Sequence, residues 1–206
     1  IQFRRKNKFV HTQEFTKFLE TDFDERNGEN YLDYFVFPSL ETKNINNTMT
    51  DYSVSTEKKF FELFSVKRKI SIEGTSKAGK TTLTKYLCRS LTNNYIPIYL
   101  NENSFSPKDN NKIIKYAFSY QYGDDADFDE FWQLDLDKRV LIVDNYDRIN
   151  NTKWKEFLND FSNKFGHIIF VGGIDWNINI KEKTLEELSD NNIFYLKICP
   201  FYYTKR

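Results

Sequence analysis

Methionine occurs once, glycine seven times, proline four times, and cysteine and histidine twice each in 206 residues. Each scarcity removes a class of protein. Cys88 and Cys199 lie far apart without metal-type spacing, which excludes a disulfide framework and a cysteine-based zinc site. His11 and His167 are too few for a histidine-based metal centre. So little glycine and proline excludes collagen-like and low-complexity chains. No apolar run approaches the roughly 20 residues of a membrane-spanning helix, and no secretory signal is present. Net charge is also lacking. Thirty basic residues balance thirty acidic ones, so no overall field directs the chain to nucleic acid or to a membrane. A cytoplasmic domain of α/β type, with room for a small appendage, is the expectation.

What the chain has in abundance is aromatic side chains, with 20 Phe and 13 Tyr. Together with plentiful Asn, Lys and Ile, these are what an AT-rich genome would encode. Alternatively, some of them cover surfaces that face further domains. The chain starts at Ile1 rather than Met and stops at Arg206 without a tail, which reads as a piece of a longer protein.

The sharpest signal is Gly74-Thr75-Ser76-Lys77-Ala78-Gly79-Lys80-Thr81. It fits G-x-x-x-x-G-K-[ST], the phosphate-binding loop of nucleoside triphosphatases. Residues 69–73 before it read as a short buried strand. Residues 82–92 after it read as a helix, with Leu83, Tyr86, Leu87 and Leu91 on one face. In that setting Gly74 and Gly79 let the backbone turn sharply and bring N–H groups close to phosphate oxygens. Thr75, Ser76, Lys77 and Ala78 supply the remaining loop backbone. The helix start near Gly79, with Thr82 in its first turn, adds the positive end of a dipole. Lys80 is placed to reach β- and γ-phosphates, and the Thr81 hydroxyl to ligate Mg²⁺. The plainer reading is a turn that carries glycines and a lysine.

The first 54 residues are read as an N-terminal helix and extended segment packed on a core formed by residues 55–206. Arg4-Arg5-Lys6-Asn7-Lys8 is a basic run, read as a solvated face over a nucleic-acid or lipid patch. Phe15, Phe18, Leu19 and Phe23 make one helical face over residues 12–23. Residues 31–37 form an aromatic, β-prone run stopped by Pro38. That run is either an extra strand or an extended segment laying rings over the core. Residues 41–51 read as a loop. Ser55 is the expected cap of a helix reaching about Phe64.

Beyond the glycine-lysine loop, residues 96–100 read as a strand with Pro97 at an edge or start. A helix is expected from Ser106 to about Tyr120. Residues 124–129 read as an acidic loop that starts the next short helix rather than a metal site. Residues 153–165 carry Trp154, Phe157, Leu158, Phe161 and Phe165 on one helical face. Residues 167–172 and 193–198 complete the strands, with a helical turn at 184–189. Five strands alternating with helices predict a parallel sheet covered on both faces.

The second chemical signal is Arg139-Val140-Leu141-Ile142-Val143-Asp144. Four apolar residues ending in Asp describe a buried strand whose carboxylate emerges at the sheet's C-terminal edge. There Asp144 would hold Mg²⁺ through water. Asp147 follows at a spacing suited to orienting an attacking water, with a helix cap as the alternative. Asp175 and Asn177 fall beyond the next strand, where they would either sense a γ-phosphate or form a simple turn.

No guanine-reading N-K-x-D tetrapeptide occurs, and Asp144 is not followed by the glycine of D-x-x-G. An arginine-rich lid of the small-molecule kinase type is missing, as are helicase and transporter signatures. The loop 74–81, the strand 96–100, the stretch 140–147 and Ile198-Cys199-Pro200-Phe201 together resemble the STAND class of signalling ATPases, related to NACHT and NB-ARC modules. Asn145 stands where that class commonly has Gly, and Arg148 where a second acid often lies. The resemblance covers roughly residues 55–206. It implies a P-loop core that binds ATP or ADP with Mg²⁺, hydrolyses slowly, and acts as a switch. It also implies a lid and winged helix after Pro200, sensor and effector domains, homo-oligomer assembly on activation, and a setting such as anti-phage defence. Adenine contacts are expected from residues 31–38 or 52–60. A module that binds nucleotide without turnover, or a self-contained P-loop enzyme, is the alternative.

Overall fold

The four-residue run from Val140 to Val143 has no polar side, so it can be sheltered only in a strand covered on both faces. A computed structural model, describing residues 9–20, 35–42, 53–106, 109–173 and 193–199, places it there. The described strands are β1 (Leu40–Thr42), β2 (Ser53–Val54), β3 (Lys69–Gly74), β4 (Ile96–Leu100), β5 (Arg139–Asp144), β6 (His167–Gly173) and β7 (Ile193–Ile198). They form one sheet in the order β2-β1-β7-β3-β6-β5-β4. From β7 to β4 the pairing is parallel, whereas β1 runs antiparallel to both β7 and β2. The five expected strands are all present. The sheet is nevertheless mixed and longer than expected, because residues 40–42 pair with β7, the last two of them within the loop expected over 41–51.

Alternation along the strands divides the core in two. Leu141 and Val143 of β5 and Ile168 and Phe170 of β6 face α4 (Asn110–Tyr122), α5 (Phe128–Gln133) and α6 (Asn151–Phe161). Val140, Ile142, Ile169 and Val171 face α1 (Gln13–Glu20), α2 (Glu57–Val66) and α3 (Lys80–Leu91). The aromatics are spent inside. Among the described residues only Tyr116 and Tyr120 are strongly exposed aromatics, while Trp154, Phe157, Phe161 and Phe131 interlock under α6 and α5. No helix among the described residues is long and apolar enough to cross a membrane.

Several element ends differ from expectation for local reasons. Thr56, not Ser55, caps α2, its hydroxyl accepting from Lys59 N at 3.3 Å. Asp109 caps α4, so that helix starts after Ser106 and runs on to Tyr122. Asp127 caps α5, as its place in the acidic stretch suggests. Helix α6 stops at Phe161, and Phe165 reaches the core from the following turn. Phe35 and Phe37 lie in an extended segment whose rings stack on Tyr86 at 4.1 Å and meet Phe60 at 5.8 Å. Residues 4–8, 21–34, 43–52, 174–192 and 200–206 lie outside the described set. The expectations for the basic run, Phe23, Tyr52, Asp175, Asn177, the 184–189 turn and Pro200 lie there with them.

Strand β4 is the sheet's edge in this order, and its open side is closed by side chains. Tyr99 N donates to Gln121 Oε1 at 3.0 Å, and Gln121 Nε2 donates to Tyr99 O at 2.9 Å. One amide thus satisfies both exposed backbone groups as a neighbouring strand would. Replacing Gln121 with leucine keeps the volume but leaves two buried polar groups unpaired. The Gln121→Leu variant is expected to lose about 2 kcal/mol or more of unfolding free energy. Urea denaturation checks this, and a loss below about 0.5 kcal/mol would show that the edge has another partner.

Candidate functional site

Strand β3 has β6 on one side and β7 on the other. The chain leaves β3 through α3 toward β4 at the far edge, while β6 connects onward to β7 across β3. Connections therefore diverge at the C-terminal end of β3, the kind of crevice where open α/β sheets bind ligands. The segment at that end is Gly74 to Thr81.

Gly74 is buried, and a Cβ there would lie 3.2 Å from both Ala78 Cβ and Ile198 Cδ1. Thr75, Ser76 and Lys77 are exposed in a turn closed by Ala78 N donating to Thr75 O at 3.2 Å. Lys77 has φ 63° and Gly79 φ 78°, both left-handed. Such backbone reversals gather successive N–H groups into an anion-binding concavity. A lysine held left-handed costs about 1–2 kcal/mol, so the fold holds this turn against local preference. Helix α3 begins at Lys80 with Gly79 as its cap, which supplies no side chain to the first-turn N–H groups. Lys80 Nζ curls over the turn and donates to Gly74 O at 3.0 Å and Thr75 O at 2.8 Å. An ammonium has three protons, so one remains for an anion held within the turn.

Asp144, 60 residues on from Thr84, reaches this loop from β5. It is 1% exposed. Its Oδ1 accepts from Asn145 N at 3.0 Å and lies 3.5 Å from Thr84 Oγ1, whose proton goes to Lys80 O at 2.8 Å. Its Oδ2 accepts from the Tyr99 hydroxyl at 3.1 Å. Burial pushes the Asp144 carboxyl above its ordinary range, while hydrogen bonds from Thr81, Tyr99 and Asn145 pull it down. Burial and the neighbouring carboxylate likewise raise the Tyr99 phenol, so Tyr99 stays a donor.

Asp147 does not cap α6. Asn150 does, accepting from Thr152 N and Lys153 N. Asp147 sits instead in a turn of 3₁₀ helix, Tyr146–Arg148, over the end of β6. A Cβ on Gly172 would come within 2.9 Å of Asp147 Oδ1, and one on Gly173 within 3.0 Å of Oδ2. Gly173 is the register partner of Gly74. The carboxylate therefore lies over the end of the strand that neighbours the start of the loop.

Asn145 has φ 54°, in the left-handed region that glycine adopts freely and asparagine tolerates. Its side chain donates to Glu102 Oε2 at 3.0 Å, and Arg148 Nη1 donates to Glu102 Oε1 at 3.4 Å. A carboxylate from just beyond β4 therefore stands near Asp144, held by Asn145 and Arg148.

The Thr81 hydroxyl and the Asp144 carboxylate are the groups here that could hold a divalent cation beside a phosphate chain. Among the described residues no group of three or more His, Cys, Asp or Glu could hold a metal ion. One carboxylate and one hydroxyl are what Mg²⁺ takes from protein when phosphates and waters complete its shell. The sequence names Gly74 to Thr82, Asp144 and Asp147 as candidates, and the fold gathers them at one sheet edge. Sequence reasoning missed Tyr99, Thr84, Glu102 and Gln121, because apolar runs and helix faces hide them until the parallel register is known.

The apo protein should carry the cost of this buried acid. A folded-state pKa raised above the unfolded value of about 3.9 gives stability that is present at acid pH and lost as pH rises through the folded value. The melting temperature of Asp144→Asn minus that of wild type should therefore grow from about pH 3.5 to pH 7. A difference independent of pH would contradict the raised pKa.

No family model matches the chain, and no curated protein does.

Proposed function

We propose that the chain is an adenine-nucleotide switch module of STAND type, in which ATP or ADP with Mg²⁺ occupies the crevice above β3. The observation that carries this reading is the meeting of Lys80, Thr81 and Asp144 at one sheet edge. Their motifs are separated in sequence by one strand, β4, and by the helices that flank it.

In this reading the N–H groups of residues 75–81 cradle the β-phosphate, with the start of α3 supplying positive potential. Lys80 exchanges its carbonyl partners for β- and γ-phosphate oxygens. Thr81 and Asp144 would hold Mg²⁺, which would supply neutralisation of charge on the transferring phosphoryl group. Asp147 orients the attacking water from the β6 side. Water adds at the γ-phosphorus, the bond to the bridging β–γ oxygen breaks, and the released proton passes to solvent through Asp147. ADP and phosphate result. Slow turnover suits a switch, because a γ-phosphate that adds contacts to one conformation shifts a population by that difference alone. Sensor, effector and oligomer partners belong to the same reading.

A module that binds without turning over is the second reading, and Arg148 at the position of a second acid favours it. Two sets of variants test the assignment. Lys80→Ala should lower ATP affinity at least tenfold by calorimetry, the loss of one charge-assisted contact of about 1.5–3 kcal/mol, with the fold intact. Unchanged affinity in a folded variant would remove the loop from the site. Asp147→Asn should slow phosphate release while leaving Mg²⁺–ATP affinity nearly intact, whereas Asp144→Asn should weaken the Mg²⁺ dependence of binding. Equal loss of metal-dependent affinity in both would refute the division of roles.

A further inference from the structure

Tyr99 is gripped on three sides. Its hydroxyl donates to Asp144 Oδ2 at 3.1 Å. Its backbone is fixed by the Gln121 amide of α4 at 3.0 and 2.9 Å. Its ring meets Phe18 at 5.4 Å and Phe15 at 6.3 Å, both from α1. Helix α1 is in turn fastened to its surroundings. Thr12 N donates to Gln121 O at 2.8 Å, and Thr12 Oγ1 to Tyr120 O at 2.9 Å. Glu20 pairs with Arg89 of α3 at 3.5 Å. The buried Lys85 of α3 places Nζ 4.3 Å from the centroid of the Phe18 ring. Thus α1 touches the acid at one remove, through one phenol.

We propose that Tyr99 is a positioning residue for Asp144, and that α1 is the clamp that holds Tyr99 in place. This rests on the assignment of Asp144 to the metal. Oδ1 already faces Asn145 N and the start of α3. A hydroxyl fixed on Oδ2 stops the carboxylate from rotating about its Cβ–Cγ bond, so one oxygen stays directed at the loop. Partners of a metal-binding carboxylate that set its orientation commonly change metal affinity by about 10–100-fold when removed. A phenol anchored by a separate helix makes that orientation depend on where the helix sits. Displacing α1 would loosen the acid without touching the loop, which gives the N-terminal region a route to nucleotide affinity.

The test uses the whole chain and three variants. Tyr99→Phe keeps the ring and removes the hydroxyl. Phe18→Leu keeps an apolar side chain and removes the flat contact. Phe157→Leu truncates the opposite core face as a control for lost stability. Ligand-free crystals of Tyr99→Phe should show Asp144 in more than one orientation, against one in wild type. By calorimetry, ATP affinity with Mg²⁺ should fall about tenfold in Tyr99→Phe and by a smaller factor in Phe18→Leu. Affinity in EDTA should stay at the wild-type value in both, and Phe157→Leu should leave the metal dependence unchanged. A single wild-type orientation of Asp144 in Tyr99→Phe overturns the positioning role whatever the nucleotide results. Metal dependence in Phe18→Leu equal to wild type overturns the clamp, as does an equal shift in Phe157→Leu. A wild type that binds no nucleotide removes the proposed function instead, and the crystals still decide the positioning claim.

Discussion

An acid held almost free of water at the end of β5 is the constraint around which this fold is arranged. Burial disfavours its charge, and the surrounding groups answer with hydrogen bonds from Tyr99, Thr81 and the Asn145 backbone. Each donor needs its own support. Tyr99 requires β4 at the edge and Gln121 beside it. Asn145 requires a left-handed turn, and Thr81 requires α3 to start beneath the glycine-lysine loop. A buried acid with three hydrogen-bond donors beside a concave loop is the kind of arrangement found at functional sites.

The sheet order explains how separate segments reach this acid. With β6 between β3 and β5, the loop and Asp144 are one strand apart, and the glycine pair Gly172 and Gly173 lines the space between them. A side chain at Gly172 would collide with Tyr146 and Asp147, and one at Gly173 would crowd the Asp147 carboxylate. Small residues at the end of β6 therefore allow the turn after β5 to fold across, bringing a second carboxylate over the crevice. The two antiparallel strands β1 and β2 extend the sheet on the far side of β7.

Much of this was legible in the sequence. The apolar run ending in Asp144 and the loop from Gly74 to Thr81 are each patterns of consecutive residues, so the sequence alone singles them out. The strands β3 to β7 were equally plain, because buried parallel strands are short apolar runs. Residues 40–42 were not, since Leu40-Glu41-Thr42 is too short and polar to stand out, and its pairing with β7 comes from tertiary context. Tyr99 was hidden for a different reason. Its partner in register is Ile142, and Asp144 lies two residues further on the same face. Without strand order and register, a tyrosine in Ile-Pro-Ile-Tyr-Leu is simply a β-prone residue. Glu102 and Arg148 were likewise invisible as a pair, because one follows β4 and the other follows β5.

The central claim is that the loop and Asp144 form a single site for a nucleotide with its metal. Native mass spectrometry of the purified chain incubated with ATP and Mg²⁺ tests this most directly. The account predicts one nucleotide and at least one Mg²⁺ per chain, with the metal bound only when the nucleotide is present. A protein that stays bare at millimolar ATP and Mg²⁺ would contradict it, as would Mg²⁺ bound without nucleotide.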